Sequence, residues 1–347
     1  MPPACKAAGE RAPSPAKSPR LATRPPRSST GGTHPFRDKT KNVSLPGRFV
    51  DTSAGRVFVH RGGATGEPLV LLHGFMMSHW YFRNVQPRFE RDHQVIAIDL
   101  PGFGESDRPE VAKFPYDVHA MAGAVCEVLD KLGIERAAVL GHSMGGGVAL
   151  ALAARRPERV SRLVLVCPTV YPLQMPALIK LVLNDRFGPF LWKHAFTKGE
   201  MRRQMLKQHF KDPAPVTDEF VDYVWARFNR AGGREAAYAV TKQFAAMSNN
   251  TADPMRVRAP TLLVWGDEDR MIPLSHGKRL LRGIPGARLA VVPSCGHNVH
   301  LERPDEFLRQ VVPFLTDLTA RPVTETPVPH PRGQAMGGPP LKKAQGE

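Results

Sequence analysis

Five consecutive residues, Gly141-His142-Ser143-Met144-Gly145, have the types and spacing that make a serine react. The apolar run Ala137-Ala138-Val139-Leu140 precedes them, and the small-residue stretch Gly146-Gly147-Val148-Ala149-Leu150-Ala151-Leu152-Ala153-Ala154 follows. A strand, a Gly-x-Ser-x-Gly turn and a small-residue helix together form the setting of a nucleophilic serine. So tight a turn forces the serine backbone into strain, and the flanking glycines let strand and helix close on each other. The Ser143 hydroxyl is then held above the strand end, at the positive end of the helix dipole.

A serine is a poor nucleophile until a base takes its proton, and the base needs a partner to orient it. Two later apolar runs end in suitable groups: Val264-Trp265-Gly266-Asp267-Glu268-Asp269 and Val292-Pro293-Ser294-Cys295-Gly296-His297. The resulting chain order, serine then acid then histidine, is the one that accompanies a nucleophile on this kind of turn.

The elements that must position these groups alternate. Short strands are expected near Arg48–Asp51 and Val57–Arg61, and Pro68–Leu72 reads as a strand buried on both faces. A helical segment over residues 78–90, with Trp80, Val85 and Phe89 inward, leads to a strand at Gln94–Ile98. The loop Asp99-Leu100-Pro101-Gly102-Phe103-Gly104-Glu105-Ser106 lacks the Gly-Lys-Ser/Thr ending of a phosphate loop and is expected to shape the mouth of the site. An amphipathic helix over Asp117–Leu132 and a strand at Arg162–Cys167 follow. Strands resume at Thr261–Trp265 and Arg288–Val292, with helices at His276–Gly283 and Asp305–Leu315. Helices alternating with buried strands predict an α/β fold with a mostly parallel, doubly wound sheet. Alternation stops over residues 170–253, which are helical in pattern and rich in Met and aromatic residues. They are expected to form an inserted helical lid with mostly its own core.

Taken as ordered blocks, residues 45–318 resemble the α/β-hydrolase superfamily. The blocks are His73-Gly74-Phe75, the Asp99–Ser106 loop, the Ser143 turn, Trp265-Gly266-Asp267-Glu268-Asp269, Gly296-His297 and the lid position. The resemblance implies Ser143 as nucleophile, Asp269 as acid and His297 as base, with Asp267 and His300 the alternatives. It also implies an oxyanion hole from the backbone N–H groups of Met144 and Phe75. His142 and His73 are expected to pack and hydrogen-bond. Relatives that dehalogenate or open epoxides carry an aspartate nucleophile, so Ser143 sets them aside. The sequence lacks a Gly-Gly run after His73-Gly74 and the Gly-rich loop of ring-cleavage C–C hydrolases, which places both subgroups further away. Gly145-Gly146-Gly147 after Met144 is suggestive of a cofactor-free perhydrolase.

Composition bounds the rest. The net charge of +16 includes nine basic against two acidic side chains in residues 1–44 and four against two in 319–347. These Pro-rich ends predict solvated, disordered tails, 1–44 basic, flanking a core of 45–169 and 254–318 around the 170–253 lid. With no aromatic-basic stripe in the core, no specific nucleic-acid partner is expected; membrane contact through the basic tail is a separate possibility. Neither a signal-like apolar segment nor a run of about 18 apolar residues occurs, and the four cysteines show no Cys-x-x-Cys spacing. A cytoplasmic protein with free thiols is expected. No Cys/His cluster has metal-site spacing, and no metal or other cofactor is implied. The expected activity is hydrolysis of carboxylic esters of apolar acyl or aromatic groups through an acyl-enzyme. The alternatives are a C–C bond hydrolase, lactonase, acyltransferase or perhydrolase, or a ligand-binding protein that retains the triad.

Overall fold

A computed structural model describes residues 45–173, 183, 186, 188–246 and 252–317. The tails expected over 1–44 and 319–347 lie outside the described residues, as do Met175, Phe187 and Met247 of the insertion. The strands are β1 (Gly47–Thr52), β2 (Gly55–Gly62), β3 (Glu67–Leu72), β4 (His93–Ile98), β5 (Ala137–His142), β6 (Val160–Val166), β7 (Thr261–Gly266) and β8 (Arg288–Val292). The α-helices are α1 (Gln86–Phe89), α2 (Val118–Lys131), α3 (Met144–Arg155), α4 (Gly188–Ala195), α5 (Lys198–Gln204), α6 (Asp218–Phe228), α7 (Gly233–Ala245), α8 (Leu274–Gly283), α9 (Val299–Glu302) and α10 (Pro304–Thr316).

The strands form one sheet in the order β1-β2-β4-β3-β5-β6-β7-β8. β1 and β2 pair antiparallel, as do β2 and β4, and every pair from β4 to β8 is parallel. Every residue of β5 and β7 is buried, which is why both read as unbroken apolar runs. From β3 the chain turns back to β4, whereas from β5 it runs on to β6 on the other side. That reversal opens a crevice at the C-terminal ends of β3 and β5, where α/β sheets place their ligands. Both the His73 loop and the Ser143 turn leave the sheet there. α1 and α10 share one face, with Phe89 against Phe307 at 6.4 Å, and α2 and α3 pack together on the other.

The helix expected over 78–90 is two short pieces, a 3-10 turn at His79–Phe82 and the single turn α1. Pro87 explains the break. It has no N–H for the ladder, and its ring would strike the carbonyl of Arg83. Trp80, Val85 and Phe89 are buried as expected.

Between β6 and β7 lie α4 to α7, with Thr197 and Thr217 capping α5 and α6. Their apolar side chains form a core that is partly their own and partly shared. Met201, Met205, Phe210, Phe220 and Tyr223 cluster with Met77, Trp80, Tyr81 and Leu301, while Phe228, Ala236 and Val240 join the main core. Stretches this short bury little surface alone, so they share that of the sheet domain. Tyr223 stacks on Trp80 at 4.0 Å. Glu105 pairs with Arg227 at 3.0 Å and with Arg230, fastening the 99–108 loop to the insertion. That loop wraps the buried Asp99 carboxylate, which accepts from the Glu105 N–H at 2.7 Å and from His79. Gly104, at φ 54°, passes so close that a Cβ there would lie 2.1 Å from Asp99 Oδ2.

Candidate active site

Ser143 follows β5 and heads α3, with φ 53° and ψ −116°. A non-glycine residue held there costs about 1–3 kcal/mol, so its surroundings must over-determine it. Its N–H donates to Val166 O at 2.9 Å, and its C=O accepts from Gly147 and Thr169 N–H. A Cβ at Gly141 would lie 2.3 Å from Gly145 O, and one at Gly145 would lie 2.3 Å from Leu72 O. Both glycines are therefore required by close approach of backbones. Gly146 and Gly147 have a similar cause, since a Cβ on either would come within 2.6 Å of Pro168 or Thr169. Packing accounts for the glycine run without appeal to a particular chemistry.

His297 Nδ1 donates to Asp269 Oδ2 at 2.8 Å, which leaves Nε2 with its lone pair. Asp269 Oδ1 accepts from the N–H groups of Met271 and Ile272, both at 2.8 Å. Burial would raise the pKa of this carboxyl; the charge and hydrogen bond of His297, with the Ile272 N–H, pull it below the usual range instead. Asp267 turns elsewhere, accepting from Cys295 N–H at 3.2 Å. His300 packs edge-on to Tyr81 at 4.5 Å, and burial drives its pKa down to about 3.

His142 lies beside His297, ring centroids 4.8 Å apart, and its Nε2 donates to His297 O at 3.0 Å. Burial first, then His297 and His300, holds its pKa well below 6.5, so it is a neutral ring. His73 accepts at Nε2 from Leu100 N–H at 3.0 Å, which leaves Nδ1 to donate to Gly74 O at 2.8 Å. This fixes the loop carrying Phe75. A Cβ at Gly74 would sit 3.4 Å from Ser143 Cβ, so the loop runs directly against the Ser143 turn. Phe75 packs on Phe103 and on Phe244 of α7, and Met144 opens α3, where first-turn N–H groups have no helical acceptor.

Three contributors escaped the sequence. Thr169 places Oγ1 3.4 Å from Ser143 Oγ. Glu302, buried on α9, accepts from four backbone N–H groups: Gly296 and Asn298 on either side of His297, and Lys211 and Asp212 of the insertion. The His209 carbonyl accepts from His297 N–H at 3.1 Å, and burial followed by His297 lowers the pKa of the His209 ring to about 4. Only the spacing of Glu302 after His297 was there to be read, since Thr169 and His209 arrive through folding.

Among the described residues, one group offers three metal-type ligand atoms close together: Cys167, Asp269 and His297, within 4.8 Å of one another. Burial, then Asp269, pushes the Cys167 thiol pKa well up, so it is protonated, and the other two are engaged with each other. Residues 171–173, 183, 186 and 188–246 include no metal cluster of this kind. No described helix is long and apolar enough to cross a membrane.

Residues 67–304 match the family model described as alpha/beta hydrolase fold. A 2-hydroxy-6-oxo-6-phenylhexa-2,4-dienoate hydrolase of Comamonas testosteroni is 34% identical, the match covering 79% of this chain and 96% of that one. The solved meta-cleavage product hydrolase CumD of Pseudomonas fluorescens IP01 is 29% identical with a TM-score of 0.66, covering 77% of this chain and 97% of its own. A solved membrane phospholipase A is 26% identical with a TM-score of 0.65, covering 78% and 86%. A parallel sheet with a strained serine at its switch point, a family model over most of the chain and a relative matched along nearly its whole length lead to one conclusion: this protein belongs to the alpha/beta hydrolase fold family.

Proposed function

We propose that this protein is a serine hydrolase that cleaves carboxylic esters of apolar acyl or aromatic groups through an acyl-enzyme on Ser143. The observation that carries the reading is the His297–Asp269 hydrogen bond, with His297 packed at 4.8 Å on His142, the residue before a serine held in strain at the head of α3. Asp269 fixes the tautomer in which Nε2 of His297 is the base. Ser143 Oγ attacks the ester carbonyl as His297 takes its proton, and the oxyanion is received by the N–H groups of Phe75 and Met144. His297 protonates the leaving alcohol, and water then attacks the acyl-enzyme along the reverse proton path. Every step uses groups of this chain.

Apolar side chains of the insertion next to the site, such as Phe244 packed on Phe75, fit an apolar acyl group. The insertion, touching the site through Phe244 and His209, serves as its lid. Free Cys126, Cys167 and Cys295 fit a reducing, cytoplasmic setting.

Hydrolysis of p-nitrophenyl esters of rising acyl length by wild type and Ser143→Ala tests the reading. The expected result is turnover in wild type and a loss of at least about 10³-fold in the variant. An alanine variant with normal turnover would overturn it.

C–C bond hydrolysis is the second reading. The missing Gly-rich loop had set it back, but the relatives named for 2-hydroxy-6-oxo-dienoate and meta-cleavage-product hydrolysis bring it forward. Turnover of 2-hydroxy-6-oxo-6-phenylhexa-2,4-dienoate with kcat/KM well above that of every ester would replace the first reading with this one.

A further inference from the structure

We propose that Thr169 is a catalytic residue of the second half-reaction, its hydroxyl holding the water that releases the acyl group from Ser143. The inference rests on the acyl-enzyme reading and deepens it.

Thr169 is buried, and among the described residues its hydroxyl is hydrogen-bonded to the nucleophile itself, Oγ1 to Oγ at 3.4 Å. Its backbone is pinned from both sides. The Thr169 N–H donates to Ser143 O at 3.0 Å, and the neighbouring Cys167 N–H donates to Val264 O at 3.0 Å. Cys167 turns sharply there, with φ 43°, so the chain leaves β6 in a fixed direction toward Ser143. The hydroxyl is therefore held in place before any reaction begins.

The free enzyme satisfies the Thr169 hydroxyl with Ser143. Acylation removes the Ser143 hydroxyl hydrogen and converts Oγ into an ester oxygen, a poor partner. The Thr169 hydroxyl is then left with only a weak ester oxygen to donate to, and a buried hydroxyl so poorly partnered is costly, so the acyl-enzyme favours a polar molecule at that point. Water is the polar reactant that deacylation requires there. Its oxygen forms the bond to the acyl carbon while one of its protons passes to His297 Nε2. Thr169 Oγ1 accepts a hydrogen bond from its other hydrogen. The bond from carbon to Ser143 Oγ then breaks, Oγ takes the proton back from His297, and the carboxylic acid leaves. Thr169 thereby acts in deacylation and leaves acylation alone.

The test uses the full-length protein and p-nitrophenyl butyrate. Stopped-flow absorbance gives the rate of nitrophenolate release in the first turnover, and quenching followed by intact-mass measurement gives the decay of the butyryl adduct. In Thr169→Val the adduct is expected to decay about tenfold more slowly, the loss of one hydrogen bond, with first-turnover release within about twofold of wild type. Thr169→Ser should restore the decay rate, and Thr169→Ala replaces the valine variant if that one does not fold. Equal decay in wild type and variant, or first-turnover release slowed as much as decay, would overturn the proposal. An adduct that forms in wild type yet decays unchanged in the variant sinks only this role. A wild type with no adduct, whose Ser143→Ala variant still turns over, sinks the acyl-enzyme reading itself.

Discussion

At the scale of single residues, candidate catalytic groups are told apart by what else each one touches. Two aspartates stand two positions apart after β7, and they point to different partners. Asp269 meets His297 and is braced by two N–H groups, whereas Asp267 accepts from Cys295. Asp269→Asn should preserve the fold but lower kcat by about 10³–10⁴-fold, because an amide can stabilise the wrong imidazole tautomer. Asp267→Asn should stay within a few-fold of wild type. Steady-state kinetics of the two variants on one ester separates them. The blocks around Ser143, Asp269 and His297 were legible because each follows a strand with a glycine at fixed spacing. Thr169 carries no such local mark. Its hydroxyl matters because β5 and β6 are neighbours, which no local pattern records.

At the scale of elements, the glycines divide by what their missing side chains would strike. Gly145 lets α3 close on the end of β3, and a methyl group there would lie 2.3 Å from Leu72 O. Gly123, inside α2, has nothing within 4 Å of an added Cβ. Gly145→Ala should therefore destabilise by about 1–3 kcal/mol and disturb the Ser143 turn. Gly123→Ala should stabilise by about 0.5–1 kcal/mol by removing the cost of glycine in a helix. Urea unfolding midpoints give both signs, and opposite outcomes would refute the packing account. The helix expected over 78–90 was misjudged at this scale, since its apolar spacing was right and Pro87 broke it. Residues 170–253 stood apart by their loss of strand pattern, but the partners their apolar side chains share were not legible. The partners Met77, Trp80, Tyr81 and Leu301 are far away in sequence.

At the scale of the whole molecule, burial of histidines makes stability depend on pH. His142, His300 and His73 are buried and His209 is half-buried, and burial is the main cause holding each pKa below the ordinary 6.5, to about 4 at His209 and about 3 at His300. Above pH 6.5 the rings are neutral folded or unfolded and contribute nothing to the pH dependence. Below it, the unfolded chain takes up protons that the folded one refuses. Stability should fall by about 1.4 kcal/mol per pH unit for each such histidine, until its folded pKa is reached. Asp269 and Asp99 have lowered folded pKa values and lose their contribution only as pH falls below about 3.8. Urea midpoints should be flat from pH 8 to 7 and then drop between pH 6 and 4; a midpoint rising over that interval would refute this.

The sequence by itself determined the α/β architecture, because strands buried on both faces and amphipathic helices leave different periodicities. It determined the tight turn at Ser143 as well, because close backbone approach admits glycine alone at Gly141 and Gly145. Tertiary structure decided what meets what. It brought Asp269 rather than Asp267 to His297, set Thr169 against Ser143, and gathered Gly296, Asn298, Lys211 and Asp212 onto the one carboxylate of Glu302. Those contacts join distant segments. They depend on strand order, on which face each helix covers and on where the insertion comes to rest, and these are properties of the packed sheet as a whole.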